Sequence, residues 1–139
     1  MSMINPNTIE AYRGTEYRVS VDGGLVLQIG EVSPPLVALH GRYGVTCSAF
    51  VTACNPFSAE LSDEENRAPQ AGLEQDLRAR RLRFLPGIGQ HPSNGWPGEP
   101  SLLVLGIGLP AAKALGVRLE QNAIAWAAEG GVPELVLLR

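Results

Sequence analysis

Apolar and polar residues alternate over Tyr17–Val21 and again over Leu25–Ile29, with Asp22-Gly23-Gly24 between them. A period of two puts every second side chain on one face of a strand. Two such runs joined by a glycine-bearing turn predict a β-hairpin. Ahead of it, Asn7-Thr8-Ile9-Glu10 has capping-box spacing and predicts a short helix to about Arg13, stopped by Gly14. Ser33-Pro34-Pro35 closes the hairpin, and Leu36–His40 reads as a helical turn ended by Gly41. Val45–Cys54 is apolar or small on both faces, as a strand buried on both sides should be. Asn55-Pro56 ends it, because proline cannot continue a central ladder.

Ser62-Asp63-Glu64-Glu65 is a second capping box, opening a helix to about Arg80 with Leu73 and Leu77 on its buried stripe. Pro69 lies inside that helix and removes one backbone hydrogen bond. Leu82–Leu85 reads as a short strand. Pro86–Pro100, with four Gly and four Pro, reads as a long loop. Ser101–Ile107 is a buried strand, and Pro110 suits the first turn of a helix running to about Glu120. Asn122–Ala127 and Val132–Leu138 form a closing hairpin around Glu129-Gly130-Gly131. The sum is an α+β protein with a single mixed β-sheet of about six to seven strands, two main helices and a short N-terminal helix. It is expected to be one domain over residues 1–139, with a helix and hairpin in 1–44 and a core in 45–138.

Composition narrows the function classes. Hydrophobic residues make up 45 % of the chain, which fits a packed core. Charged residues make up only 18 %, so the surface is largely neutral or partly covered by a partner. The net charge is −3, and the one basic cluster, Arg78, Arg80, Arg81 and Arg83, sits where cations suit a helix C-terminus. A nucleic-acid partner is therefore not expected. Met1–Thr8 lacks the pattern of a signal peptide, and the apolar stretch Leu102–Ala112 is too short and too interrupted to span a bilayer. The expectation is a soluble, cytoplasmic protein with no membrane partner. Cys47 and Cys54 fall on opposite faces of the expected strand, roughly 23 Å apart. That is beyond disulfide reach, so both thiols should be free.

Four segments carry a resemblance: Phe50-Val51-Thr52-Ala53-Cys54-Asn55-Pro56, Leu61-Ser62-Asp63-Glu64-Glu65-Asn66, Gly98-Glu99-Pro100-Ser101-Leu102-Leu103-Val104, and Glu120-Gln121-Asn122-Ala123-Ile124. In this order they resemble an uncharacterised bacterial family, domain of unknown function 3293, over roughly Val45–Leu138. The resemblance implies no activity. Pro69 and the Arg118-Leu119-Glu120 stretch depart from its pattern.

Topology suggests a site. If Val45–Cys54, the following helix and Leu82–Leu85 form a right-handed crossover, the two strands run the same way and end at one edge. The chain then re-enters at Ser101 from that edge, and the last helix returns Gln121 to it. Thr52–Asn55, Ser62–Asn66, Glu99–Ser101 and Gln121–Asn122 should converge there. Asn66 shares the stripe of Leu73 and Leu77, so its amide needs partners, either the loop backbone or a ligand. Glu99, between Pro97-Gly98 and Pro100, is the candidate general acid–base; its plain alternative is a loop carboxylate accepting backbone N–H groups. His91 and His40 read as ordinary histidines.

The chain shows no zinc-ligand spacing, no phosphate-binding loop and no nucleophile elbow, so neither a metal nor a cofactor is expected. Two functions remain. One is a non-catalytic module binding a small polar ligand or a protein. The other is a small hydrolase- or transferase-like enzyme with Glu99 as general acid–base. In either, Thr52, Asn55, Asn66, Ser101 and Gln121 are the candidate binding residues, with Asn55, Asn66 and Gln121 orienting the substrate in the enzyme.

Overall fold

The computed structural model describes residues 2–139. Its elements run α1 (Pro6–Gly14), β1 (Glu16–Val19), β2 (Leu25–Leu27), α2 (Pro34–Tyr43), β3 (Ser48–Val51), a 3-10 turn (Pro56–Ser58), α3 (Asp63–Ala79), β4 (Phe84–Gln90), β5 (Glu99–Leu105), α4 (Leu109–Arg118), β6 (Ala123–Ala127) and β7 (Pro133–Leu137). The strands form one seven-stranded sheet in the order β2-β1-β4-β5-β3-β6-β7, and the class is α+β. Every neighbouring pair is antiparallel, which corrects the expectation of a mixed sheet. β3 and β4 do run the same way, but β5 lies between them and pairs with both. The inserted strand replaces one parallel contact by two antiparallel ones, whose hydrogen bonds are straighter.

Nearly half of the expected long loop is strand. β4 continues through Pro86–Gln90 and β5 starts at Glu99, leaving only residues 91–98 as the connection. Proline and glycine hide this hairpin from any period-two pattern. Gly87 is there for space: a Cβ would lie 2.5 Å from the Arg18 carbonyl oxygen and 2.9 Å from the Phe50 ring. Conversely, the strand expected over Val45–Cys54 shrinks to Ser48–Val51, all four buried. Its ladder stops because Pro100 has no N–H; there the Thr52 hydroxyl donates instead to the Pro100 carbonyl, at 2.7 Å. Cys47 and Cys54 flank the strand and are both free.

Local signals set the helix bounds. Asn5, not Asn7, caps α1, with Pro6 behind it in the first turn. The helical turn expected at Leu36–His40 extends to a full helix, capped by Ser33 and closed by Gly44 at φ 66° rather than by Gly41. α3 has the expected reciprocal Ser62–Glu65 capping box and carries Pro69 inside. The turn of the first hairpin uses Gly23 and Gly24 at φ 82° and 72°.

Alternation along β3 and β5 divides the core between two faces. On one, Ala49, Val51, Leu102 and Val104 meet Leu73 and Leu77 of α3 and Ala112 and Leu115 of α4. On the other, Phe50, Leu103 and Leu105 meet Leu36 and Leu39 of α2. The second face is only partly covered by α2. The rest lies under α1, which has no buried residue of its own. The basic cluster is engaged at the end of α3: Arg78 lies over the Phe84 ring and Arg80 pairs with Asp76 at 3.3 Å. No helix among the described residues is long and apolar enough to cross a membrane.

Candidate functional site

One row across three strands reads Tyr17, Gly89, Glu99: Gly89 is opposite Tyr17 on β1 and opposite Glu99 on β5. Residues directly opposed in a ladder share a face. The middle position has no side chain, so Tyr17 and Glu99 flank an opening. Phe50 borders it, meeting Tyr17 edge-on with ring centroids 5.2 Å apart. Thr8, Ala11 and Tyr12 of α1 form a further wall, and His91 and Trp96 contribute from the 91–98 connection. The resulting open cavity has a volume of about 360 Å³, suited to a small molecule.

Glu99 is held from behind. Asn55 donates through Nδ2 to Glu99 Oε2 at 2.8 Å. Asn55 is itself fixed: its Oδ1 accepts from Leu61 N at 2.8 Å and from Asn66 Nδ2 at 3.0 Å, and its backbone N donates to Asn66 Oδ1 at 2.9 Å. Asn66 is buried on the α3 stripe while Glu65 and Arg67 are exposed. Burial raises the Glu99 pKa above the usual carboxylate value, and the Asn55 bond opposes that rise. Among the described residues, no Lys or Arg lines the cavity.

The six residues singled out in the sequence do meet at this sheet end, in two layers. Thr52, Glu99, Ser101 and Gln121 line the cavity; Asn55 and Asn66 do not, and stand behind Glu99. Gln121 donates through Nε2 to Cys54 O at 3.0 Å and to Leu119 O at 3.3 Å. Ser101 Oγ donates to Glu99 O at 2.9 Å. His91 Nδ1 accepts from Ser93 N and Asn94 N, both at 3.1 Å, and so fixes its own loop. His40 lies elsewhere, buried and bonded through Nε2 to Ser48 Oγ at 2.7 Å.

Other members of the site, Asn122 apart, gave no sequence signal. Gln70 Oε1 accepts from Ala53 N at 2.9 Å, holding the segment after β3. Tyr17 donates to Tyr12 O at 2.7 Å, and its phenol is raised well above the ordinary value, chiefly by burial. The Tyr12 hydroxyl bonds Ser58 Oγ, and Asn122 Nδ2 donates to both at 3.1 Å. Asn55, Phe57, Ser58 and Glu120 all have positive φ, from 49° to 62°. Such strain in non-glycine residues collects at functional sites. The aromatic wall would have been readable only with the β1–β4–β5 register in hand.

The family model described as Protein of unknown function (DUF3293) matches residues 51–124, just over half of the chain. The chain belongs to the DUF3293 family. No curated protein and no solved structure matches it. The DUF3293 match runs from the end of β3 into β6 and contains Thr52, Asn55, Asn66, Glu99, Ser101 and Gln121. Tyr12, Tyr17 and Phe50 precede it, so the DUF3293 match supplies the carboxylate and its support, while the preceding segment supplies three of the four aromatic walls.

Proposed function

We propose that this DUF3293 chain is a small-molecule-binding domain whose ligand lies between α1 and the sheet, with Glu99 as its polar anchor. The observation that carries this reading is a carboxylate with one oxygen engaged by Asn55, facing a cavity that is otherwise mostly aromatic and apolar. The packing of α1 supports it further: Thr8, Ala11 and Tyr12, on its cavity side, are only half-buried. A helix with no buried residue gains its packing from whatever fills the space beneath it. Asn55 and Asn66 serve Glu99 and the backbone, so of the three amides only Gln121 is left to meet a ligand. That favours binding over catalysis. Free thiols at Cys47 and Cys54 fit a reducing compartment and support a soluble, cytoplasmic protein.

A second reading has one observation in its favour. The raised pKa of Glu99 is what a general acid–base requires, and supports a hydrolase- or transferase-like reaction. One experiment addresses both. A metabolite screen by thermal shift identifies ligands that bind the native state and raise its melting temperature. Binding should weaken in Glu99→Gln if the cavity is the site. Turnover of a hit by the wild type and not by Glu99→Gln would establish the enzymatic reading in place of simple binding.

A further inference from the structure

We infer that the cavity selects a small organic ammonium, an amine of about one ring in size whose cationic head meets Glu99. This rests on the binding reading above. Its basis is the charge inventory of the wall. Among the described residues Glu99 is the one carboxylate there and neither Lys nor Arg joins it; the one other ionisable base is His91, whose Nδ1 accepts from Ser93 N and Asn94 N. The ion pairs of the described residues all lie elsewhere and none involves Glu99. Its protein partner is the neutral Asn55 amide, on Oε2 alone. An anionic ligand would bring a like charge into a space where no described Lys or Arg compensates it. A neutral alcohol would give Glu99 one hydrogen bond and leave its charge unpaired in a poorly solvated site. An ammonium supplies both the donor and the missing charge.

The walls fit the same chemistry. Tyr12, Tyr17, Phe50 and Trp96 all border the cavity. Aromatic rings attract cations through the negative potential of their faces, more strongly where water is excluded. An ammonium also has several N–H groups to place. Gln121 commits its Nε2 to Cys54 O and Leu119 O, which leaves Oε1 as the acceptor end of an amide on the cavity wall. Glu99 and Gln121 thus offer two acceptors, from β5 and from the segment between α4 and β6, with aromatic surface for the rest of the molecule.

The test uses matched probes on the full chain: phenethylamine, 2-phenylethanol and 3-phenylpropionate, with the corresponding butyl and cyclohexyl series, at pH 7.5. Affinity is read by calorimetry and location by amide and indole NMR shifts. The expected result is that the ammonium of at least one series binds about tenfold or more tightly than its alcohol, shifting Gly89 and the Trp96 indole. The acid should bind more weakly still. Glu99→Gln, which keeps an acceptor for Asn55, should abolish the preference for the ammonium. Trp96→Ala, at an exposed loop position, should weaken ammonium binding without loss of stability. Alcohols or acids binding at the cavity as tightly as ammoniums would overturn the inference and leave the binding reading standing. If no probe of any charge shifts the cavity residues, both fall.

Discussion

Asn55 and Glu99, 44 residues apart in the chain, are joined by a 2.8 Å hydrogen bond from the amide to a carboxylate oxygen. Asn55 sits at φ 49°, in the left-handed region that asparagine tolerates better than most residues. Its carbonyl oxygen also holds Leu61 N and the Asn66 amide. Asn55→Ala removes all three side-chain bonds and leaves Glu99 and Leu61 N without these partners. A loss of about 1–3 kcal/mol is expected, the range for leaving buried polar groups unsatisfied. Urea denaturation at pH 7 measures it. An unchanged midpoint would mean that the clamp contributes no net stability.

Glu99→Gln should have the opposite effect. Burial raises the Glu99 pKa in the fold, so folding stabilises the protonated form relative to the unfolded chain. Stability linked to that form is fully present below the unfolded value of about 4.5 and is lost as pH rises through the folded pKa. At pH 7 without ligand, Glu99→Gln should therefore melt higher than the wild type. The gap should close as pH falls toward 4.5. Sites that keep a costly charge for function commonly show this gain when it is removed.

His40 sets a second pH dependence with the other sign of charge. It is 3 % exposed, its Nδ1 has no hydrogen-bond partner among the described residues, and burial lowers its pKa below the usual 6.5. The neutral ring is the folded form. Stability is full above pH 6.5 and is lost as pH falls from there through the folded pKa, because the unfolded chain takes up the proton first. Melting temperature should decline between pH 7 and 5, and His40→Gln should flatten that slope. An equal slope in the variant would show that other groups cause it.

The parts of the fold that could be read in the sequence are those with local chemistry. The Asp22-Gly23-Gly24 turn, the Ser62–Glu65 capping box and the Glu129-Gly130-Gly131 hairpin each fix a backbone geometry within a few residues. The β4–β5 hairpin could not be read that way. Gly87 and Gly89 are strand residues that pair with β1 and lie against Phe50, and both contacts are remote in sequence. The meeting of Asn55, Asn66, Glu99 and Gln121 followed from chain direction alone, since β3 and β4 run the same way. The aromatic half of the site did not. Tyr17 faces Glu99 only through the register with Gly89, and α1 carries Tyr12 to the cavity without any apolar periodicity to mark it.

Pro69 offers a stability test independent of the site. It lies inside α3, is exposed, and has no N–H for the helix ladder. Pro69→Ala should stabilise the protein by about 1–3 kcal/mol, on helix-interior figures. Chemical denaturation reads this directly. A clear destabilisation would show that the proline ring makes packing contacts worth more than the missing bond.

Everything proposed for function turns on ligand occupancy of the space between α1 and the Tyr17–Gly89–Glu99 row. The most direct measurement is a fragment screen on isotope-labelled protein, mapping amide and indole shifts residue by residue in wild type and Glu99→Gln. Shifts gathered on Thr8, Ala11, Gly89, Trp96 and Glu99, and diminished in Glu99→Gln, are the predicted result. Shifts confined to the shallow groove along Leu25–Pro35, with the cavity residues unmoved, would contradict it.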